Sequence, residues 1–171
     1  LCFAASDPTG GAGMQADIMT LTSMGCHPLS VMTALTVQDT AGVDDILVFD
    51  DDWIIDQARA VLEDMPVAAF KLGMLGSVEN IAAIAAIIAD YPGIPLIVDP
   101  VLASGRGDQF ADEEMVDAMI ELLLPQTTIL TPNSLEARRL AQDAEREEGE
   151  DGDLADTLDL TECARRLIVA G

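Results

Sequence analysis

The sequence predicts an α/β fold in which short buried strands alternate with amphipathic helices around a largely parallel sheet. Three observations support this class. Hydrophobic residues make up 50% of the 171 residues, which is enough to bury the core of one domain. Short apolar runs alternate with helix-length segments along the chain. Polar residues collect directly after several of the apolar runs, as they do at the ligand-binding edge of parallel sheets.

Each predicted strand is a short apolar run bounded by turn residues. The strands are expected at Leu1–Ala5, Leu29–Leu35, Ile46–Phe49, Val67–Leu72, Ile94–Val98 and Thr128–Leu130. Helices are expected between most of them, at Ala12–Met24, Asp52–Asp64, Val78–Asp90, Glu113–Leu124, Ser134–Gln142 and Glu162–Ala170. Ser77 and Thr161 each precede an acidic first turn, which predicts that both are N-cap residues.

The charge of the chain excludes some classes of partner. Eight basic against 31 acidic residues give a net charge of −23, which repels nucleic acid and anionic membranes. A surface this acidic is typical of a protein adapted to high salt. Residues 143–159 hold nine of the acidic residues and one arginine, which predicts a solvated acidic loop.

The cysteines and the apolar runs indicate a cytoplasmic protein. Cys2, Cys26 and Cys163 are odd in number and widely spaced, which disfavours both a disulfide framework and a zinc site. No apolar run reaches the roughly 18 residues that span a bilayer, and the N-terminus lacks the basic region of a secretory signal.

The first predicted strand is followed by a glycine-rich turn, Ser6-Asp7-Pro8-Thr9-Gly10-Gly11-Ala12-Gly13. Glycines let a ligand approach backbone N–H groups closely, but they also occur in strand-to-helix turns for steric reasons alone. The turn matches neither the Walker A nor the G-x-G-x-x-G pattern, so it gives no argument for nucleoside triphosphate binding.

Five polar residues lie at or just after predicted strand ends: Asp7, Gln38, Lys71, Asp99 and Asn133. If their strands are parallel neighbours, these residues share one edge of the sheet. The side-chain amide of Gln38 has both a donor and an acceptor, which suits the edge of an aminopyrimidine.

Asn133 and Glu136 have the spacing of a helix capping box. The same oxygens, together with Asp99, are also suited to a hydrated Mg²⁺ ion and its phosphates. The two interpretations are compatible, because one capped helix end can serve both.

Five motifs resemble, in order, those of the hydroxymethylpyrimidine and phosphomethylpyrimidine kinases of thiamine biosynthesis. The resemblance implies a ribokinase-like fold of three layers, α/β/α, with a mostly parallel central sheet. The motifs are Ser6-Asp7-Pro8-Thr9-Gly10-Gly11-Ala12-Gly13-Met14-Gln15-Ala16-Asp17, Met32-Thr33-Ala34-Leu35-Thr36-Val37-Gln38-Asp39-Thr40, Lys71-Leu72-Gly73-Met74-Leu75, Asp99-Pro100-Val101 and Thr131-Pro132-Asn133-Ser134-Leu135-Glu136-Ala137.

The resemblance also implies a reaction, in which the γ-phosphoryl group of ATP passes to a hydroxymethylpyrimidine, to its monophosphate, or to both. Gln38 and Asp17 would hold the pyrimidine, in a pocket lined by Ala12, Met74 and Val101. Asp99, Asn133 and Glu136 would organise Mg²⁺ and the phosphates of ATP. The alternatives are a kinase of pyridoxal or another small alcohol, and a protein that binds the pyrimidine without phosphorylating it.

The chain also departs from the family's pattern. It lacks the Gly-Thr-Gly-Cys-like loop that supplies the family's anion hole and catalytic base. We therefore expect residues 1–171 to be roughly the first two-thirds of the kinase domain, with an incomplete C-terminal part, no catalytic residue and no activity of their own. The family resemblance further implies a homodimer.

Overall fold

The computed structural model describes residues 1–103, 109–143 and 158–171. Most of the predicted acidic loop, residues 144–157, lies outside the described residues. The strands are Cys2–Ala4 (β1), Ser30–Met32 (β2), Ala34–Gln38 (β3), Val43–Val48 (β4), Phe70–Leu72 (β5), Leu96–Val98 (β6) and Ile129–Leu130 (β7). The helices are Gly13–Ser23 (α1), Asp51–Asp64 (α2), Val78–Ala89 (α3), Glu113–Ala118 (α4), Ser134–Asp143 (α5) and Leu160–Ala170 (α6).

Five strands form a central parallel sheet in the order β2-β1-β5-β6-β7. Phe3 of β1 pairs with Val31 on one side and Leu72 on the other, and Leu72 pairs in turn with Val98. This confirms the predicted α/β class with a mostly parallel sheet. The carboxyl ends of β1, β5 and β6 therefore meet at one edge, where Asp7, Gly73 and Asp99 follow them.

The predicted strand Leu29–Leu35 is wrong in one respect, because the chain changes sheets within it. The backbone N–H of Thr33 donates to Ala4 O at 3.1 Å, whereas its carbonyl accepts from Phe49 N at 3.0 Å. Thr33 thus separates β2 in the central sheet from β3, which pairs antiparallel with β4 in a two-stranded sheet. The predicted strand Ile46–Phe49 belongs to this hairpin.

One predicted helix cap is confirmed, and two helix ends differ from prediction. Ser77 is an N-cap as predicted, since its hydroxyl accepts from Asn80 N at 3.2 Å. Asp159, not Thr161, occupies the N-cap position of α6. The predicted helix Glu113–Leu124 is α-helical only to Ala118; it continues as a π-helical turn and a short 3₁₀ turn that contains Pro125.

The two faces of the sheet pack against different helices. Phe3, Phe70 and Leu72 are fully buried in the main core, which also contains buried residues of α2 to α6. Cys2 and Ala4, on the opposite face of β1, pack with Met14 of α1. Because strand residues alternate between faces, Lys71 in β5 lies on the α1 side.

The other predictions from composition can be compared with the described residues. Cys2 and Cys163 are buried free thiols, and Cys26 is an exposed free thiol. Within the described ranges, the helices are too short or too polar to cross a membrane.

Candidate functional site

A cavity of about 360 Å³ opens at the carboxyl edge of the central sheet. The predicted substrate residues all line it, and so does Asp99. Asn133 and Glu136 are outside its lining. The structure therefore brings together six of the eight predicted site residues, namely Ala12, Asp17, Gln38, Met74, Asp99 and Val101.

Asp7 organises the glycine-rich turn at one side of this cavity. Its side chain accepts hydrogen bonds from Thr9 N at 2.8 Å, Thr9 Oγ1 at 3.0 Å and Ala12 N at 2.9 Å, and the residue is only 3% exposed. Burial raises the pKa of Asp7, but the hydrogen bonds from Thr9, Ala12 and Gly11 outweigh it, so the pKa is lowered. A negative carboxylate at the centre of the turn therefore holds Ala12 in its place in the cavity wall.

Gly13 explains part of the glycine content of the turn. Its φ is +58°, and a Cβ at this position would lie 2.5 Å from Ala5 O. Glycine is therefore required where the chain passes from β1 into α1. This supports the steric interpretation of the turn, and four of its residues, Ser6, Asp7, Ala12 and Gly13, also line the cavity.

Lys71 is a site residue to which the sequence analysis assigned no role. Its Nζ lies 3.0 Å from Asp17 Oδ2 and 4.0 Å from Asp99 Oδ2. Among the described residues that line the cavity it is the only cation. The sequence feature that could have identified Lys71 is its residue type, because it is the single lysine of a strongly acidic chain and lies in a predicted strand.

Burial and the neighbouring charges have competing effects on the pKa of Asp99. Burial raises the pKa of Asp99, Lys71 lowers it, and nearby Asp17 raises it again; the net direction is upward. The Asp99 side chain is 41% exposed, so it remains open to solvent or a ligand.

Gln38 reaches the cavity from the two-stranded sheet, not from the edge of the central sheet as expected. The hairpin is held against the end of β1 by hydrogen bonds from Ser6 N to Ala34 O at 2.9 Å and from Thr36 N to Ser6 Oγ at 3.2 Å. The β3–β4 hairpin therefore forms one wall of the cavity.

Asn133 and Glu136 form the predicted capping box of α5. Asn133 N donates to Glu136 Oε2 at 2.8 Å, and Glu136 N donates to Asn133 Oδ1 at 3.0 Å. The other Glu136 oxygen accepts from Leu102 N at 3.4 Å, which ties α5 to the loop after β6. Burial raises the pKa of Glu136, against the opposing effect of these hydrogen bonds, and Asp99 raises it further.

The described residues contain no cluster of three acidic, histidine or cysteine side chains that could hold a metal ion. Both Glu136 oxygens and Asn133 Oδ1 already accept backbone N–H groups. Of the three residues predicted for Mg²⁺, Asp99 is therefore the one with an open carboxylate. This arrangement fits an ion that keeps most of its water shell, as Mg²⁺ does.

Comparison with known proteins places the chain in a family. The family model described as phosphomethylpyrimidine kinase matches residues 7–171. A thiamine biosynthesis bifunctional protein of Geobacter sulfurreducens is 40% identical over 167 residues, which are 98% of this chain and 32% of that protein. A hydroxymethylpyrimidine/phosphomethylpyrimidine kinase of Mycobacterium bovis is 43% identical over 141 residues, 82% of this chain and 51% of that protein. The chain thus spans about a third of the length of the first of these curated relatives and about half of the second.

Solved structures share the fold. A phosphomethylpyrimidine kinase from Clostridium difficile aligns with a TM-score of 0.81 and 32% identity, over 99% of this chain and 72% of that one. A pyridoxal kinase from Staphylococcus aureus, in complex with AMP-PCP and pyridoxal, aligns with a TM-score of 0.78 and 29% identity, over 99% of this chain and 58% of that one. The described fold is therefore ribokinase-like and incomplete relative to these structures.

Proposed function

Because this chain belongs to the phosphomethylpyrimidine kinase family, we propose that it carries the pyrimidine-binding part of a kinase. The reaction is transfer of the γ-phosphoryl group of ATP to 4-amino-5-hydroxymethyl-2-methylpyrimidine, to its monophosphate, or to both. One observation supports this above the others: Gln38, Asp17, Ala12, Met74 and Val101 line the same cavity as Asp99. Residues 1–171 form the N-terminal part of one kinase domain.

The cavity suits a small heteroaromatic ring. Its volume of about 360 Å³ is near the lower end of the range for ligand sites. Ala12, Met74 and Val101 supply apolar contacts, and Gln38 and Asp17 supply polar ones. A hydroxymethyl group that points toward Asp99 is then close to the edge of the sheet where the phosphates of ATP are expected.

Asp99, Asn133 and Glu136 are proposed to organise ATP and Mg²⁺ at that edge. Asp99 offers a carboxylate directly, whereas Asn133 and Glu136 act through water or hold the N-terminus of α5 in place. Bound magnesium supplies charge neutralisation for the phosphates. Lys71 lies between the Asp17 and Asp99 carboxylates and offsets the repulsion between their negative charges.

Titration calorimetry with hydroxymethylpyrimidine, pyridoxal and ribose tests this proposal. We expect hydroxymethylpyrimidine to bind most tightly. Gln38→Ala should weaken its binding by about 1–3 kcal/mol, because a polar atom of the ring loses its partner in a desolvated pocket. Gln126→Ala is the matched control, since the Gln126 amide bonds Ala85 O and Leu122 O away from the cavity. Preference for pyridoxal would favour the pyridoxal kinase alternative.

We also propose that the protein forms a homodimer, as the family resemblance implies. Leu35 and Leu47 are cross-strand partners in the hairpin and are 42% and 62% exposed, and Val37 of the same strand is 60% exposed. Neighbouring exposed apolar side chains on one small sheet are typical of protein–protein contacts. A second copy of the chain is the proposed partner.

A further inference from the structure

The Thr36 hydroxyl contacts two polar groups, but it has only one hydrogen to give. Its Oγ1 lies 2.8 Å from the backbone oxygen of Ser6 and 3.1 Å from Oε1 of the Gln38 amide. Ser6 O can only accept, and no other hydrogen bond to it is found among the described residues. Since Ser6 and Thr36 are both buried, the hydroxyl hydrogen belongs on Ser6 O, where it avoids an unpaired carbonyl.

The Gln38 amide must then donate to Thr36. A hydroxyl whose hydrogen is committed can still accept a hydrogen bond. The two ends of a glutamine amide are distinguished by their partners, so the end that faces Thr36 is Nε2. The amide oxygen of Gln38 consequently takes the other position, away from Thr36, and Gln38 lines the cavity.

Lys71 holds one of the two carboxylate oxygens of Asp17. Lys71 Nζ bonds Oδ2 of Asp17 at 3.0 Å, and among the described residues no hydrogen bond reaches Oδ1. The Asp17 side chain is 18% exposed, so Oδ1 remains available at the cavity.

We propose that Thr36 and Lys71 are positioning residues that make the polar side of the cavity accept hydrogen bonds, with Gln38 Oε1 and Asp17 Oδ1 as its two acceptors. This inference rests on the proposed function and names the residues that set its selectivity for an amino-substituted ring. Heteroaromatic rings with an exocyclic amino group are selected. Rings with an exocyclic carbonyl at the same place are rejected, because two acceptors would then face each other.

Calorimetry with two probes tests the selectivity: 4-amino-5-hydroxymethyl-2-methylpyrimidine and its analogue with a 4-oxo group. The wild-type chain should prefer the amino compound by at least about 100-fold, as expected for a site built to pair a substrate N–H. Thr36→Val leaves the amide free to turn, so the preference should fall about tenfold. Thr36→Ser keeps the hydroxyl and should therefore retain the wild-type preference for the amino compound.

Thr127→Val is the matched control, since the Thr127 hydroxyl bonds Leu123 O outside the cavity and its loss should leave the preference unchanged. Full preference in Thr36→Val, or none in the wild type, would overturn the inference. If the wild type binds neither probe, the proposed function fails, and the amide orientation is then decided by nuclear magnetic resonance. Nuclear Overhauser contacts from the Gln38 side-chain amide protons to Thr36 support the inference, and their absence overturns it.

Discussion

Lys71 Nζ lies 3.0 Å from Asp17 Oδ2, and this ion pair joins the middle of β5 to the second turn of α1. The residues that the sequence assigned to the pyrimidine and to the phosphates are thus linked by one cation, because the same Nζ is 4.0 Å from Asp99. Its removal would leave two carboxylates facing one cavity without compensation.

Lys71→Met should therefore lower the free energy of unfolding by about 1–2 kcal/mol, between the effects of exposed and fully buried ion pairs. Arg59→Met is the control, because Arg59 and Asp90 form an ion pair on the surface, away from the cavity. Urea denaturation of both variants measures the difference. Equal stability of the two variants would contradict a structural role for Lys71.

Gly13 and Gly25 both have positive φ, but only Gly13 is crowded. Gly25→Ala should cost about 1 kcal/mol, from the left-handed backbone conformation alone. Gly13→Ala should cost clearly more, because its Cβ would lie 2.5 Å from Ala5 O. Thermal unfolding of both variants provides the comparison, and equal losses would show that the turn can relax around a side chain.

The strands of the central sheet could be predicted because each is a short run of mostly apolar residues. The largely buried strands β1, β5 and β6 give the most continuous apolar signal. The change of sheet at Thr33 could not be predicted, since Leu29–Leu35 has the same apolar character on both sides of it. What divides the run is a pair of backbone hydrogen bonds, to Ala4 and from Phe49, that depend on distant parts of the chain.

For the site, position after a predicted strand indicated Asp99, whereas the family resemblance indicated Asp17, Gln38 and Met74; all four line the cavity. Thr36 was missed as a candidate because its role depends on hydrogen-bond direction, which the sequence does not contain. Asn133 and Glu136 form the predicted capping box, and their role toward Mg²⁺ stays a prediction.

Asp7 should give the protein a distinct acid sensitivity. Because its pKa is lowered on folding, its stabilising effect is present above the ordinary value of 3.8 and is lost as the pH falls through the lowered pKa. Asp99 and Glu136 have raised pKa values, so their effect on stability has the opposite pH dependence. Their contributions to the stability of the folded state are present below the ordinary pKa values of 3.8 for Asp99 and 4.5 for Glu136, and are lost as the pH rises through the raised pKa values.

Asp7→Asn should cost about 1–3 kcal/mol at neutral pH, from the loss of hydrogen bonds to a charged group. The difference from wild type should shrink below pH 4. Urea midpoints between pH 6 and pH 3 measure this, with Asp56→Asn, an exposed carboxylate of α2, as the control. A difference that is constant across this pH range would argue against an ionised Asp7 in the turn.

The net charge of −23 predicts that salt stabilises the protein. The Debye length falls from about 10 Å at 0.1 M to about 3 Å at 1 M, so repulsion between surface carboxylates weakens. The melting temperature should rise between 0.1 and 1 M KCl. A flat or falling melting temperature would count against a salt-adapted surface.

The proposed dimer predicts that Leu47→Asp lowers the molar mass in solution from that of two chains to that of one. A charge placed among Leu35, Val37 and Leu47 would have to be buried unpaired in the interface. Val169→Asp is the control, because Val169 is 82% exposed on α6, far from the hairpin in sequence. Light scattering after gel filtration measures both, and a wild-type monomer would refute the dimer.

The single lysine has a practical consequence. Apart from the α-amino group, Lys71 Nζ is the only primary amine in the chain, and it lies in the wall of the cavity. Reductive methylation with ¹³C-labelled formaldehyde would thus place one isotopic reporter beside Asp17 and Asp99. Its spectrum would record which small molecules enter the cavity without any engineered label.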